Sequence, residues 1–213
     1  MSLSTWLGFF VASWLISLSP GAGAISCMAA GMRYGYARAV WNIVGLQLGI
    51  LAVMAIAAAG LGAILAASAT AFTTIKWLGA GYLVWLGIQQ WRAPTFEVDA
   101  DGRDGALVNG ARTGAELFLR GFLVNATNPK GVLFMLAVLP QFIDPAAPQL
   151  PQYALCAGTL FFTDLVVMSA YTAFAAKVLR ALKKPHHVRW INRTFGSLFV
   201  AAGALLATFK RAA

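Results

Sequence analysis

Lys130 and Asp164 are the charges that the sequence places near the centres of long apolar runs. A charge at the middle of a bilayer costs on the order of 2.5–3.5 kcal/mol by insertion scales, so it persists where it faces a partner or a water-filled cavity. An ammonium in that position can meet a carboxylate. An acid there, and Asp164 is the only one far from the end of a run, is a natural place for a proton to bind. The plainer role for both is a structural ion pair that fixes helix register, since buried pairs contribute little net stability.

Two prolines lie in the same kind of surroundings: Pro20 in Leu18-Ser19-Pro20-Gly21-Ala22-Gly23, and Pro129 in Asn125-Ala126-Thr127-Asn128-Pro129-Lys130-Gly131. A proline inside a helix removes one backbone donor and clashes with the carbonyl four residues earlier, so Ile16 and Asn125 should lose their helical partners. Lipid offers no replacement. The freed groups are suited to a ligand instead. The amides of Gly21, Ala22 and Gly23 would open a new half-helix whose positive end attracts a carboxylate, and the carbonyls of Ile16 and Asn125 would accept from an ammonium. Asn125 and Asn128 are three apart, hence on one helical face, and add amide groups that donate or accept. Asn128 is equally placed to cap the half-helix that begins at Pro129. An amino acid carries both charges and fits this mixture. Asn42 and Gln47 in the second run, and Tyr82 and Trp85 in the third, are further candidates for a cavity wall; their plainer roles are hydrogen bonding between helices and packing.

These groups need a membrane to hold them. Of 213 residues, 60% are hydrophobic and 11% charged, which sets the chain outside the balance of a soluble domain. Six runs are long enough to cross about 30 Å of hydrocarbon: residues 3–32, 39–67, 72–91, 116–139, 153–176 and 190–209. The expected fold is an all-α membrane protein whose first and fourth transmembrane helices break at Pro20 and Pro129. Residues 93–112 interrupt the pattern with Pro94, Glu97, Asp99, Asp101, Gly102, Arg103, Asp104 and Gly105, the composition of a flexible tether. They divide one transmembrane domain, 1–213, into residues 1–92 and 113–213. Each half has three spans, and three is odd, so the halves must be inserted in opposite senses, as two inverted repeats with a site near the midplane. Gly31, Gly35, Gly45 and Gly49, at four-residue steps within each pair, predict close helix packing.

Lys and Arg set the orientation. Arg33 and Arg38, then Arg92, Arg103, Arg112 and Arg120, then Lys177, Arg180, Lys183, Lys184, Arg189 and Arg193 fall on one side, which is most of the 16 in the chain. That side is expected to be cytoplasmic, with both termini outward. Trp41, Trp91 and Trp190 lie beside these cations, where interfacial anchors belong. The net charge of +9 then belongs to an inner surface facing anionic lipids, and nucleic acid is not an expected partner. Met1-Ser2-Leu3-Ser4 has no basic side chain ahead of the apolar run, so the first span reads as retained and not as a cleaved signal.

Catalysis is not expected. A membrane aspartyl protease needs two acids sharing a proton, and Asp164 stands alone. His186 and His187 are adjacent in a basic loop, unlike the paired histidines of a helical zinc site, and no histidine falls inside a span. Cys27 and Cys156 are separate and read as packing residues, so neither a metal site nor a cofactor is implied. A metal exporter would want clustered carboxylates, thiols or imidazoles. An exporter of another cation or small solute, a passive channel, and a non-catalytic membrane scaffold remain as alternatives.

Several motifs, in order along the chain, resemble those of LysE/RhtB-type amino-acid exporters. They are Ser19-Pro20-Gly21; the glycines at 31, 35, 45 and 49; Ile75-Lys76-Trp77-Leu78-Gly79-Ala80-Gly81-Tyr82-Leu83 with Gly87; Asn128-Pro129-Lys130 followed by Leu133-Phe134; and Pro140-Gln141-Phe142. The resemblance covers nearly the full length. It implies a six-span secondary exporter of amino acids or related metabolites, driven by protons, in a bacterial inner membrane, and a homodimer is compatible with it. In one place the chain departs from the family's pattern: Pro20-Gly21-Ala22 stands where Pro-Gly-Pro is common. The departure restores an amide at Ala22 and bears on substrate preference more than on fold.

Overall fold

The computed structural model describes residues 1–67, 69–92, 113–175 and 185–208, and among these every regular element is a helix. Residues 93–112, expected to be a tether, residues 176–184 with Lys177, Arg180, Lys183 and Lys184, and the last five residues lie outside the described set.

Helix α1, Leu3–Leu18, starts at Ser2, whose hydroxyl accepts from Thr5 N at 3.1 Å. It ends just ahead of Pro20, with Ser19 extended. Helix α2, Ala22–Tyr34, follows at an angle of 54°, so the first apolar run is a broken pair. Gly35 then turns the chain with φ at 74°, the left-handed region that disfavours side chains. Helices α3, Tyr36–Ala67, and α4, Ala69–Arg92, complete the first half.

The second half opens with α5, Gly114–Ala126, fixed by a reciprocal capping box between Thr113 and Glu116. Helix α6, Pro129–Ala137, uses Pro129 where a missing donor costs nothing, in its first turn. A 3-10 turn, Leu139–Phe142, extends it, and the α5–α6 break bends by 51°. Helices α7, Gln149–Ala173, and α8, Pro185–Thr208, follow.

By length and composition, Tyr36–Gly60, Gln149–Ala173 and the two bent pairs are candidate spans. Helices α4 and α8 have 24 residues each, about 36 Å at 1.5 Å per residue, but they are less apolar. The surface is that of a membrane protein. Ile56 is 74% and Leu150 81% exposed, while Ser13, Ser17, Asn42, Gln47, Asn125 and Asp164 are buried. In water that distribution would be unfavourable; in lipid it leaves apolar side chains outside and gathers polar groups inside, where Asn42, Gln47, Asn125 and Asp164 find partners within the bundle.

Glycine sets the helix spacing. A Cβ added at Gly45 would overlap the Phe118 carbonyl, and one at Gly121 the Asn42 carbonyl, so α3 and α5 run backbone to backbone. Gly87 and Gly196 do the same for α4 and α8. The glycines expected to pack together divide into three roles: Gly45 and Gly49 face α5, Gly31 faces Thr172 of α7, and Gly35 touches nothing within 4 Å because it is the turn itself. Four-residue spacing cannot reveal a helix end between 31 and 45, and that is why one shared packing role fails.

Candidate functional site

The break at Pro20 leaves the C-terminal carbonyls of α1 without helical donors, and other elements of the fold supply them. Lys130 Nζ donates to Ser19 O at 2.7 Å and to Ile16 O at 3.2 Å. Tyr171 of α7 donates its hydroxyl to Leu18 O at 2.7 Å. An ammonium at this point also meets the negative end of the α1 dipole. The Phe199 ring of α8 lies 5.8 Å from Nζ on another side, within cation-π range. Lys130 is therefore held by the other half's break, with its stem crossing Gly21: a Cβ there would lie 3.7 Å from Lys130 Cδ.

Helix α2 begins without a side-chain cap, because its N-cap is Gly21. Its first amides thus lack intrahelical acceptors and form a positive helix end beside the negative end of α1. At the second break the ends are closed. Asn128 Oδ1 accepts from Lys130 N at 3.1 Å, the capping role, and the Asn125 carbonyl accepts from Asn128 N at 3.2 Å. The Asn125 side chain donates to Leu46 O at 2.8 Å and so ties α5 to α3.

Both breaks border one cavity of about 50 Å³, walled by Ile16, Ser17, Ser19, Gly21, Gly23, Ala24, Ile50, Asn125, Asn128, Lys130, Gly131, Met135, Leu160, Asp164 and Met168. Pro20, Ala22 and Pro129 flank these residues without forming the wall. At roughly 10–15 Å³ per water the space holds a few waters and is too small for a whole amino acid. Lys130 and Asp164 both face it, each with its own partners. Asp164, 8% exposed, accepts from Gln47 Nε2 at 2.7 Å. Gln47 is therefore a support behind the cavity and not a part of its wall.

The other candidates divide. Tyr82 reaches the back of the site, its hydroxyl 3.4 Å from Lys130 O. Trp85 packs against the Tyr82 ring at 5.6 Å and is 46% exposed, away from the cavity. Asn42 is fully buried between helices, accepting from Ser26 at 3.2 Å and donating to Leu117 O at 3.2 Å. Both cysteines are buried free thiols, and no group of three or more His, Cys, Asp or Glu able to hold a metal occurs among the described residues.

Three residues at the site are not among the candidates expected from the sequence. Ser17 and Ser19 lie on the cavity wall, and their hydroxyls have no hydrogen-bond partner among the described residues. Their signal was available: small polar residues in the last turn of an otherwise bulky apolar helix, next to the proline. Phe199 gave none, since an aromatic side chain in a span is ordinary.

Two bent helix pairs, a small cavity between their breaks with Lys130 and Asp164 on its wall, and an apolar exterior define a helical membrane protein with an internal polar site. The comparisons agree with that class. Residues 14–209 match the LysE type translocator family, and the chain belongs to it; this is a translocator and not an enzyme. The chain is 41% identical over 212 residues to the homoserine/homoserine lactone efflux protein of Salmonella typhimurium, covering 100% of both. It is 39% identical over 210 residues to an uncharacterized membrane protein of Vibrio cholerae, covering 99% of this chain and 100% of that one. A leucine efflux protein of Enterobacter is 28% identical over 208 residues, covering 97% of this chain and 96% of its own. No solved structure matches the chain.

Proposed function

We propose that this protein exports an amino acid or a close relative of one from the cytoplasm across a bacterial inner membrane, coupled to inward movement of protons. The observation that carries this reading is the first break, where a negative helix end with freed carbonyls adjoins an uncapped positive helix end, both at one cavity. The carboxylate of a zwitterion suits the amides that open α2, with Asn125 beside them, and the ammonium suits the carbonyls of Ile16 and Ser19. Asp164, buried on the same wall, carries the coupling proton, and Gln47 orients it.

The relatives narrow the substrate class. Homoserine, its lactone and leucine are the compounds in their names. Homoserine and leucine share both charged groups, whereas the lactone has lost its carboxylate and keeps its amine. An amine subsite is then the common requirement, and the carboxylate end of the cavity is the tolerant one. Homoserine is the first compound to test, given the higher identity of that relative.

The cavity is closed to a whole amino acid, which fits an alternating-access cycle caught between its open states. In this reading the halves 1–92 and 113–213 are inverted three-helix repeats, with α4 and α8 as the third and sixth spans, that rock about the paired breaks. Both termini face outward and the basic connections face the cytoplasm.

The test is uphill transport. Protein reconstituted in liposomes with an imposed pH difference should concentrate homoserine, and Asp164→Asn should abolish concentration while leaving a folded protein by thermal unfolding. Concentrative flux unchanged in Asp164→Asn would remove this acid from the mechanism, and no flux of any amino acid in the wild type would refute export.

A further inference from the structure

We propose that Lys130 is a built-in substitute for the substrate's ammonium, occupying the amine subsite whenever the site is empty, so that loading requires the two to exchange. This rests on the export reading above and goes beyond it by assigning the subsite and the order of events.

The carbonyls of Ile16 and Ser19 are the groups at the site best suited to an ammonium. They are unpaired by the chain's own geometry, they sit at the negative end of α1, and an aromatic ring stands by. Every one of these features is already engaged by Lys130 Nζ, at 2.7 Å and 3.2 Å to the carbonyls and 5.8 Å to the ring centre. A second cation cannot take the same acceptors while Nζ holds them. The lysine stem also passes close to Gly21, where a Cβ would lie 3.7 Å from Cδ, so the side chain takes up room at the start of α2 as well as the amine subsite. Its withdrawal would free the space that the small cavity lacks.

An empty membrane site needs such an occupant. Carbonyls left bare in lipid are costly, and a permanently open polar break would let water through. The lysine seals the break when no substrate is present, and a bound amine seals it otherwise. Asp164, on the same cavity wall, offers the displaced ammonium a new partner. Substrate binding and the swing of Lys130 toward Asp164 are in this way one event.

This differs from a role in which Lys130 binds the substrate carboxylate, and the two predict opposite effects. The wild type, Lys130→Gln and Lys130→Met would be placed in lipid nanodiscs, checked for folding by thermal unfolding, and titrated calorimetrically with L-homoserine and with 4-hydroxybutanoate, which keeps the carboxylate and lacks the amine. Removing the competitor should tighten homoserine by about tenfold or more, as expected when a ligand no longer displaces charge-assisted hydrogen bonds, and should leave 4-hydroxybutanoate without that gain. In liposomes the same variants should bind but exchange slowly. Homoserine binding that is weakened or unchanged in both folded variants overturns the proposal, while wild-type export measured alongside leaves the exporter reading standing. If the wild type neither binds nor moves an amino acid, export fails and this inference with it.

Discussion

Gly121→Ala should loosen the contact that holds the site's wall in place. Its new Cβ would fall on the Asn42 carbonyl with Leu46 N 2.9 Å away, and neither is a flexible side-chain end that can step aside. Restoring ordinary contact near 3.4 Å requires α3 and α5 to separate by about 1 Å, an overpacking strain of about 1–3 kcal/mol. Two hydrogen bonds cross this seam, Asn42 Nδ2 to Leu117 O at 3.2 Å and Asn125 Nδ2 to Leu46 O at 2.8 Å, and a shift of that size stretches both beyond useful range. Each such bond in a membrane protein is worth about 0.6 kcal/mol, so the expected total is about 2–4 kcal/mol. The assay is unfolding in bicelles or mild detergent, with Gly158→Ala as control, since a Cβ there meets nothing within 4 Å and alanine favours a helix by up to about 1 kcal/mol. Because Asn125 also lies on the cavity wall, export by Gly121→Ala should fall even below its unfolding temperature. Equal stability of the two variants would refute the backbone contact between α3 and α5.

Three other changes follow from local geometry. Gly35→Ala places a side chain at φ 74° and should cost about 1–2 kcal/mol, read by unfolding midpoint, although the position is spacious. Asn128→Ala removes the cap of α6 and should cost about 1 kcal/mol, with Asn128→Asp or Asn128→Ser recovering most of it; full recovery of stability without recovery of export would mean that the amide also contacts substrate. Tyr171→Phe removes the donor to Leu18 O and should lower stability by about 0.6 kcal/mol, at most about 1.7, with no change in the compounds exported.

What could be read from the sequence was whatever depends on near neighbours. Pro20 and Pro129 ended and began helices where a missing backbone donor requires it, and Asn128 beside Pro129 was recognisable as a cap. The density of apolar residues and the rarity of charge identified Lys130 and Asp164 as residues to explain. Contacts across the bundle were not legible. Nothing in the order of residues says that Asn42 lies between α2 and α5, that Trp85 points away from the cavity, or that Gly35 turns the chain while Gly45 touches a neighbouring backbone. Those facts depend on which helix faces which, and the four-residue period is the same for all of them.

The two breaks looked alike in sequence, and in the structure they differ. At Pro129 the chain supplies its own closure: Asn128 caps one helix end, and a turn satisfies the Asn125 carbonyl. At Pro20 the local chain does not close the ends: glycine stands in the capping position, and the carbonyls behind it take their donors from other helices. The closed break then contributes the lysine that fills the open one. A site built from two open breaks would hold a zwitterion in either of two orientations and would have no group of its own to seal it. Under the proposed export mechanism, one break that is closed and bears a cation would give the amine a single place to go, leave the carboxylate end permissive, and let the protein itself seal the empty state.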